Sequence, residues 1–266
     1  MRQSLPPIQT SNAVQDAIAG ALETLPETIS AAIDGALQAT TTARTTAPDP
    51  KVVAALMEAL KDSDREVRES AMHALVRMRH PSMFDPLVQA LKDPSADIRE
   101  SAAFGLGQLR DKRAADPLKA ALKDSSASVR EQAVFALGQL RDPSAFDGLV
   151  QATRDESASV REQAVFALGQ LRDPKAVDPL VVALRDASGS VREQAAFALG
   201  QLGAKTAVDA LMAALKESDV DVREQAAFAL GRIGDPRAVD ALTLALKDSS
   251  AKVRQQVAFA LGQLIR

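Results

Sequence analysis

The chain has 266 residues, 46% hydrophobic and 25% charged, with a net charge of −3, the profile of an ordinary soluble chain with room for one or two cores. No half is strongly basic, so composition gives no support to general nucleic-acid binding. Disulfides, thiolate metal sites and cysteine nucleophiles are excluded because there is no Cys.

No apolar run reaches the length of a membrane span, and the N-terminus MRQSLPPIQT lacks the apolar stretch of a signal peptide. A chain without Cys suits any compartment. A cytoplasmic setting is the simpler expectation, and a periplasmic one stays open.

Taken in chain order, residues 1–38 form an N-terminal amphipathic helical segment. Val14, Ile18, Leu22, Leu25, Ile29, Ile33 and Leu37 make its apolar stripe. LPET at 25–28 interrupts it and suggests a restart. Asp16, Glu23, Glu27 and Asp34 make its other side acidic, which argues against adhesion to an anionic membrane. Residues 39–48 have the composition of a flexible linker.

From 49 to 266 one pattern recurs every 31 residues. Arg68, Arg99, Arg130, Arg161, Arg192, Arg223 and Arg254 mark the register. So do the acids Asp62, Asp93, Asp124, Asp155, Asp186, Glu217 and Asp248. In residues 173–203, Asp173–Pro174 is a helix start, followed by Val177, Leu180, Val181 and Leu184 at helical spacing. RDASGS is a short break. A second start falls at Asp64, Ser95, Ser126, Ser157, Ser188, Asp219 and Ser250, all N-cap types. Val191, Ala195, Ala198, Leu199 and Leu202 are the core stripe of the second helix. Pro86, Pro117 and Pro179, inside the first helices, are expected to bend them. Each unit is a helix–turn–helix that cannot bury its apolar faces alone, so the units must stack.

The repeated DPxAVDPLxxALKDxSxxVRxxAAxALGxL resembles HEAT repeats, specifically the short bacterial type of phycobilisome-lyase-like proteins. The resemblance covers residues 49–266. It implies an all-α fold, a right-handed α-solenoid of seven 31-residue helix–turn–helix HEAT-like repeats. Second helices would line its concave side.

Within that frame the recurring Asp and Arg suit a structural ladder better than a catalytic site, because a catalytic site appears once. Glycines at Gly107, Gly138, Gly169, Gly200, Gly231 and Gly262 sit in the second helices, where Gly costs about 0.5–1 kcal/mol against Ala. Close approach of neighbouring second helices is the expected reason. His73 and His80 form no metal-ligand pattern. No catalytic residue, metal site or cofactor is expected.

The recurrent Phe falls elsewhere. At about 100° per residue, Phe197 lies roughly 240° from Val191, among Glu193, Gln194 and Gln201. The candidate partner-binding residues are therefore Phe104, Phe135, Phe166, Phe197, Phe228 and Phe259, rimmed by Gln132, Gln163, Gln194 and Gln225 and by Gln139, Gln170 and Gln201. Two readings stand side by side: the rings face the groove as a binding stripe, or they lean into the seam between repeats.

The function expected is a non-enzymatic scaffold binding a protein or peptide on its concave face. The alternative, by resemblance alone, is a bilin-lyase-like protein or lyase subunit that handles a linear tetrapyrrole. DNA binding is disfavoured by Glu131, Glu162, Glu193 and Glu224 on the same face, and membrane insertion is not expected. The N-terminal helices would cap the first repeat, or occupy the groove of their own chain or of a second copy.

Overall fold

A computed structural model describes residues 48–264. The amphipathic segment 1–38 and all of the 39–48 linker except Pro48 lie outside the described residues. Every regular element among the described residues is helical. First helices are α1 (Pro50–Ala59), α3 (Phe84–Ala90), α5 (Ala115–Ala121), α7 (Phe146–Ala152), α9 (Val177–Ala183), α11 (Val208–Ala214) and α13 (Val239–Ala245). Second helices are α2 (Arg65–Met78), α4 (Ala96–Leu109), α6 (Ala127–Leu140), α8 (Ala158–Leu171), α10 (Gly189–Leu202), α12 (Val220–Ile233) and α14 (Ala251–Leu264).

The described residues form two compact units, 48–105 and 106–264, divided within α4. In the first, α1 packs on α2 and α2 on α3. In the second, each second helix from α6 to α14 packs on the next, and α5, α7, α9, α11 and α13 each cover the second helix of their own repeat. This is the consecutive stacking of an α-solenoid.

The first helices are shorter than their apolar spacing suggests. From the second repeat on, each opens with one 3-10 turn, such as Pro143–Ala145 before α7 and Pro174–Ala176 before α9. The Asp before the turn caps it: Asp142, Asp173 and Asp235 accept hydrogen bonds from the backbone N–H of Ser144, Lys175 and Arg237. The internal Pro is not required for this junction. The 3-10-to-α junction is also present where Gly148, Ala210 or Ala241 replaces it. Pro86, Pro117 and Pro179 occupy the first α turn after that junction, where a missing N–H costs little.

The second helices start where the N-cap residues predict, by two different means. Asp64 and Asp219 accept from the N–H groups of the first turn. Ser126, Ser157 and Ser188 take the N-cap conformation without a capping bond from the hydroxyl. Their own N–H groups donate to Asp124, Asp155 and Asp186 at 2.8 Å, so the recurrent Asp shapes the turn.

Each second helix is buried on three sides. Val191, Ala195 and Leu199 form the expected stripe. Ala196, matched by Val134, Val165 and Ala227, adds a second buried strip that a single-stripe reading misses. The repeated glycines from Gly107 to Gly231 face a neighbour. A Cβ on Gly138 would stand 2.9 Å from the Cβ of Ala167, and one on Gly200 or Gly231 would stand 2.7 Å from the Cα of Ala229 or Ala260. The backbones of successive second helices meet there, as expected. The arc left open is the one that carries Phe, Glu and Gln.

Candidate functional site

The recurrent Arg and Asp close four of the inter-repeat seams. Nε and Nη2 of Arg130 donate to Asp155 at 2.7 and 2.8 Å. Arg161 repeats this fork on Asp186 at 2.7 and 2.8 Å, and Arg223 on Asp248 at 2.7 and 3.0 Å. In the first unit Arg68 forks onto Asp93 at 2.9 and 3.3 Å. Nη1 of each Arg turns back to two carbonyls of its own inter-helix turn; for Arg161 these are Asp155 and Glu156. One guanidinium therefore ties the turn of its own repeat to the Asp of the next.

The carboxyls respond. Arg161 holds Asp186 below the usual carboxylate range, and Arg223 does the same for Asp248. Burial pushes Asp155 upward, but the bonds from Arg130 and the Ser157 N–H outweigh it and bring the carboxyl down. These charges are engaged in holding the stack.

One rung differs. The acid after Arg192 is Glu217, and its carboxylate stays 3.9 Å from Nε, an Nε that is buried without a hydrogen-bond partner. Asp219 approaches Nη2 at 4.0 Å and lies over Gly189, so that a Cβ there would meet its Oδ2 at 2.3 Å. Nearby, burial raises the carboxyl of Glu193, and the negative charges of Asp221, Asp219, Glu162 and Glu224 push it further.

The Phe positions occupy the open arc of the second helices. Phe135, Phe166, Phe197 and Phe228 are half-buried, while Phe104 is 37% and Phe259 58% exposed. The rings take two arrangements. Phe197 and Phe228 stack on each other with centroids 5.8 Å apart. Phe135 and Phe166 instead line a cleft of about 480 Å³ with Gln139, Gln170, Gly138, Arg110 and Arg141. Gln132, Gln163, Gln194 and Gln225 are half-buried and Gln201 is exposed. The amide oxygens of Gln132 and Gln163 are shielded from solvent and accept no hydrogen bond.

The arginines of that cleft were missed by sequence reasoning. Arg79, Arg110, Arg141 and Arg172 sit in the left-handed conformation with φ of 48°, 52°, 49° and 54°, and in later repeats the position is taken by Gly203 and Gly234. The sequence signal was available: in the first six repeats the residue after GQL or its equivalent is Arg four times and Gly twice. Among the described residues no group of His, Cys, Asp or Glu is arranged to hold a metal ion, and no helix is long and apolar enough to cross a membrane.

A family model for HEAT repeats matches residues 26–100, 84–158, 116–185, 146–227 and 177–262. No curated protein matches the chain. Among solved structures it is similar to the complex of CpcE and CpcF of phycocyanin lyase from Nostoc sp. PCC7120, at 22% identity over 84% of this chain and 97% of that one, with a TM-score of 0.51. It is also similar to YibA of Escherichia coli, at 21% identity over 87% of this chain and 95% of that one, with a TM-score of 0.55. With human deoxyhypusine hydroxylase the identity is 25% over 95% of this chain and 96% of that one, with a TM-score of 0.42. The first two likenesses are of fold. With its 31-residue register, its helix pairs stacked in sequence and HEAT-repeat matches along most of its length, the chain belongs to the HEAT-repeat family.

Proposed function

We propose that this chain is a non-enzymatic scaffold that takes up a protein or peptide segment on the Phe and Gln face of its second helices, the face expected to be concave. The observation that carries this reading is the cleft between Phe135 and Phe166, where two half-buried rings and two amides line one open space. Apolar surface with a polar rim is the usual composition of an interaction site. The repeated ionisable pairs favour a scaffold over a catalyst, because their hydrogen-bonding capacity is committed to the seams between repeats.

The test is a selection of displayed random peptides against the full chain, followed by rebinding to a Phe135→Ala, Phe166→Ala double variant. Selected peptides should lose at least tenfold in affinity while the helical circular dichroism stays unchanged. Peptides that bind the folded variant as well as the parent would sink the reading.

A further inference from the structure

We infer that the occupant of the Phe135–Phe166 cleft is an acidic peptide segment, extended, with carboxylates spaced to meet Arg110 and Arg141 and apolar side chains between them. The inference rests on the proposed function and gives the partner a chemistry.

The charged residues lining the cleft are both Arg, and the glutamates of the same face, Glu131 and Glu162, are not among its lining residues. Arg110 and Arg141 are exposed lining residues, and neither is ion-paired among the described residues; the polar contact of Arg141 is a long one, to Gln170 at 3.4 Å. Both hold a left-handed backbone conformation that is unfavourable for an L-residue and costs Gly almost nothing. Gly203 and Gly234 show that the same helix end closes with Gly. A cation at a helix C-terminus recovers a fraction of that cost through the helix dipole. The guanidinium at these positions is thus a local cost that the fold itself does not require.

The open cleft lies at two Arg positions, Arg110 and Arg141, and the stacked pair at one Arg and one Gly, Arg172 and Gly203. Where both positions are Arg, the rings of Phe135 and Phe166 stand apart and line open space. In the first unit, Arg79 likewise shares a smaller cleft with Phe104, Val76 and Arg77. Phe228, 25 residues after Gly203 as Phe166 is after Arg141, instead stacks on Phe197.

Spacing sets the ligand's pattern. Packed helices lie about 8–10 Å apart, and Arg110 and Arg141 hold equivalent places on neighbouring helices. An extended peptide in the polyproline II conformation returns to the same face every three residues and advances about 9 Å in doing so. Carboxylates at every third residue would therefore reach successive guanidinium forks. The side chains between them would enter the space between the rings, and Gln139 and Gln170 are placed to bond the peptide backbone.

The experiment is a fluorescence-anisotropy titration of the full chain with a labelled Asp-Leu-Phe-Asp-Leu-Phe-Asp peptide and its counterpart with Lys for every Asp. The acidic peptide should bind and weaken as salt rises. Its affinity should fall at least tenfold on an Arg110→Gly, Arg141→Gly double variant, whose backbone conformation Gly accepts, and should largely survive Arg110→Lys, Arg141→Lys. Equal binding of the Lys peptide, or unchanged binding by the folded Gly variant, would overturn the inference. Loss on the Phe135→Ala, Phe166→Ala variant alone would leave the proposed function standing without it. Binding of a peptide of residues 14–37 but not of the acidic probe would assign the cleft to the chain's own N-terminal segment. Concentration-dependent dimerisation abolished by the Gly variant, with no binding of the probe, would assign it to a second copy. Either result would overturn an acidic external partner.

Discussion

Arg192 and Glu217 stand 3.9 Å apart, where the equivalent Arg161 and Asp186 are joined at 2.7 Å. One added methylene removes both bonds of the fork and a third from the backbone. The recurrent Asp is short enough to accept both from the Arg of the preceding repeat and from the N–H two residues on, as Asp186 does from Ser188. Glu217 makes neither bond. Glu217→Asp should restore the fork and raise stability by about 1–3 kcal/mol, the range for a hydrogen bond to a charged group. Urea denaturation checks it: an unchanged midpoint would mean that Asp219 already satisfies Arg192.

The ladder carboxyls carry a pH dependence of definite sign. Asp155, Asp186 and Asp248 are held below the range they have when unfolded. Their contribution is present above the unfolded value of about 3.9 and is lost as pH falls through the lower folded values. Thermal unfolding should therefore shift steeply downward only below about pH 4. Asp186→Asn should lower the melting temperature at neutral pH and flatten the acid slope. A parallel curve displaced at every pH would contradict the assignment.

Glu193 runs the opposite way. Burial and its acidic neighbours raise its folded-state value, so the charged form is disfavoured by folding, and the stability linked to protonation is lost as pH rises through that value. Glu193→Gln should stabilise the protein at neutral pH, with the gain vanishing below the unfolded Glu value of about 4.3. A pH-independent gain would point to packing instead of charge.

Gly200→Ala sets two effects against each other. Helix propensity favours Ala by about 1 kcal/mol. The new methyl, however, would stand 2.7 Å from the Cα of Ala229, a backbone atom that cannot step aside alone, and such overpacking costs typically 1–3 kcal/mol. Net destabilisation is the expected outcome in thermal denaturation. At Gly262, where nothing lies within 4 Å, the same change should be stabilising.

Much of this was legible because the repeat samples each position several times. Period, helix starts and the steric reason for the glycines all follow from what recurs. The buried strip at Val134 and Ala196 was not legible, because a helix between two neighbours has more than one buried side and a single stripe assumes only one. The left-handed arginines were missed because Arg gives no hint of positive φ; only its exchange with Gly203 and Gly234 does. Glu217 looked interchangeable with Asp as a charge, and the difference is one of reach. The placement of the rings, stacked for Phe197 and Phe228 and apart for Phe135 and Phe166, depends on neighbours that helical angle alone does not specify.

The bonds of each seam always link a residue to one a fixed distance ahead: Arg130 to Asp155, Gly138 to Ala167. If residues 142–172 were excised, Arg141 would precede Asp173 just as it now precedes Asp142. Arg130 would then meet Asp186, and Gly138 would lie beneath Ala198, with every contact type preserved. Length is thus the property that such an array changes most freely, by whole copies gained or lost. A rung such as Arg192–Glu217 is the kind of mark by which otherwise interchangeable copies become distinct.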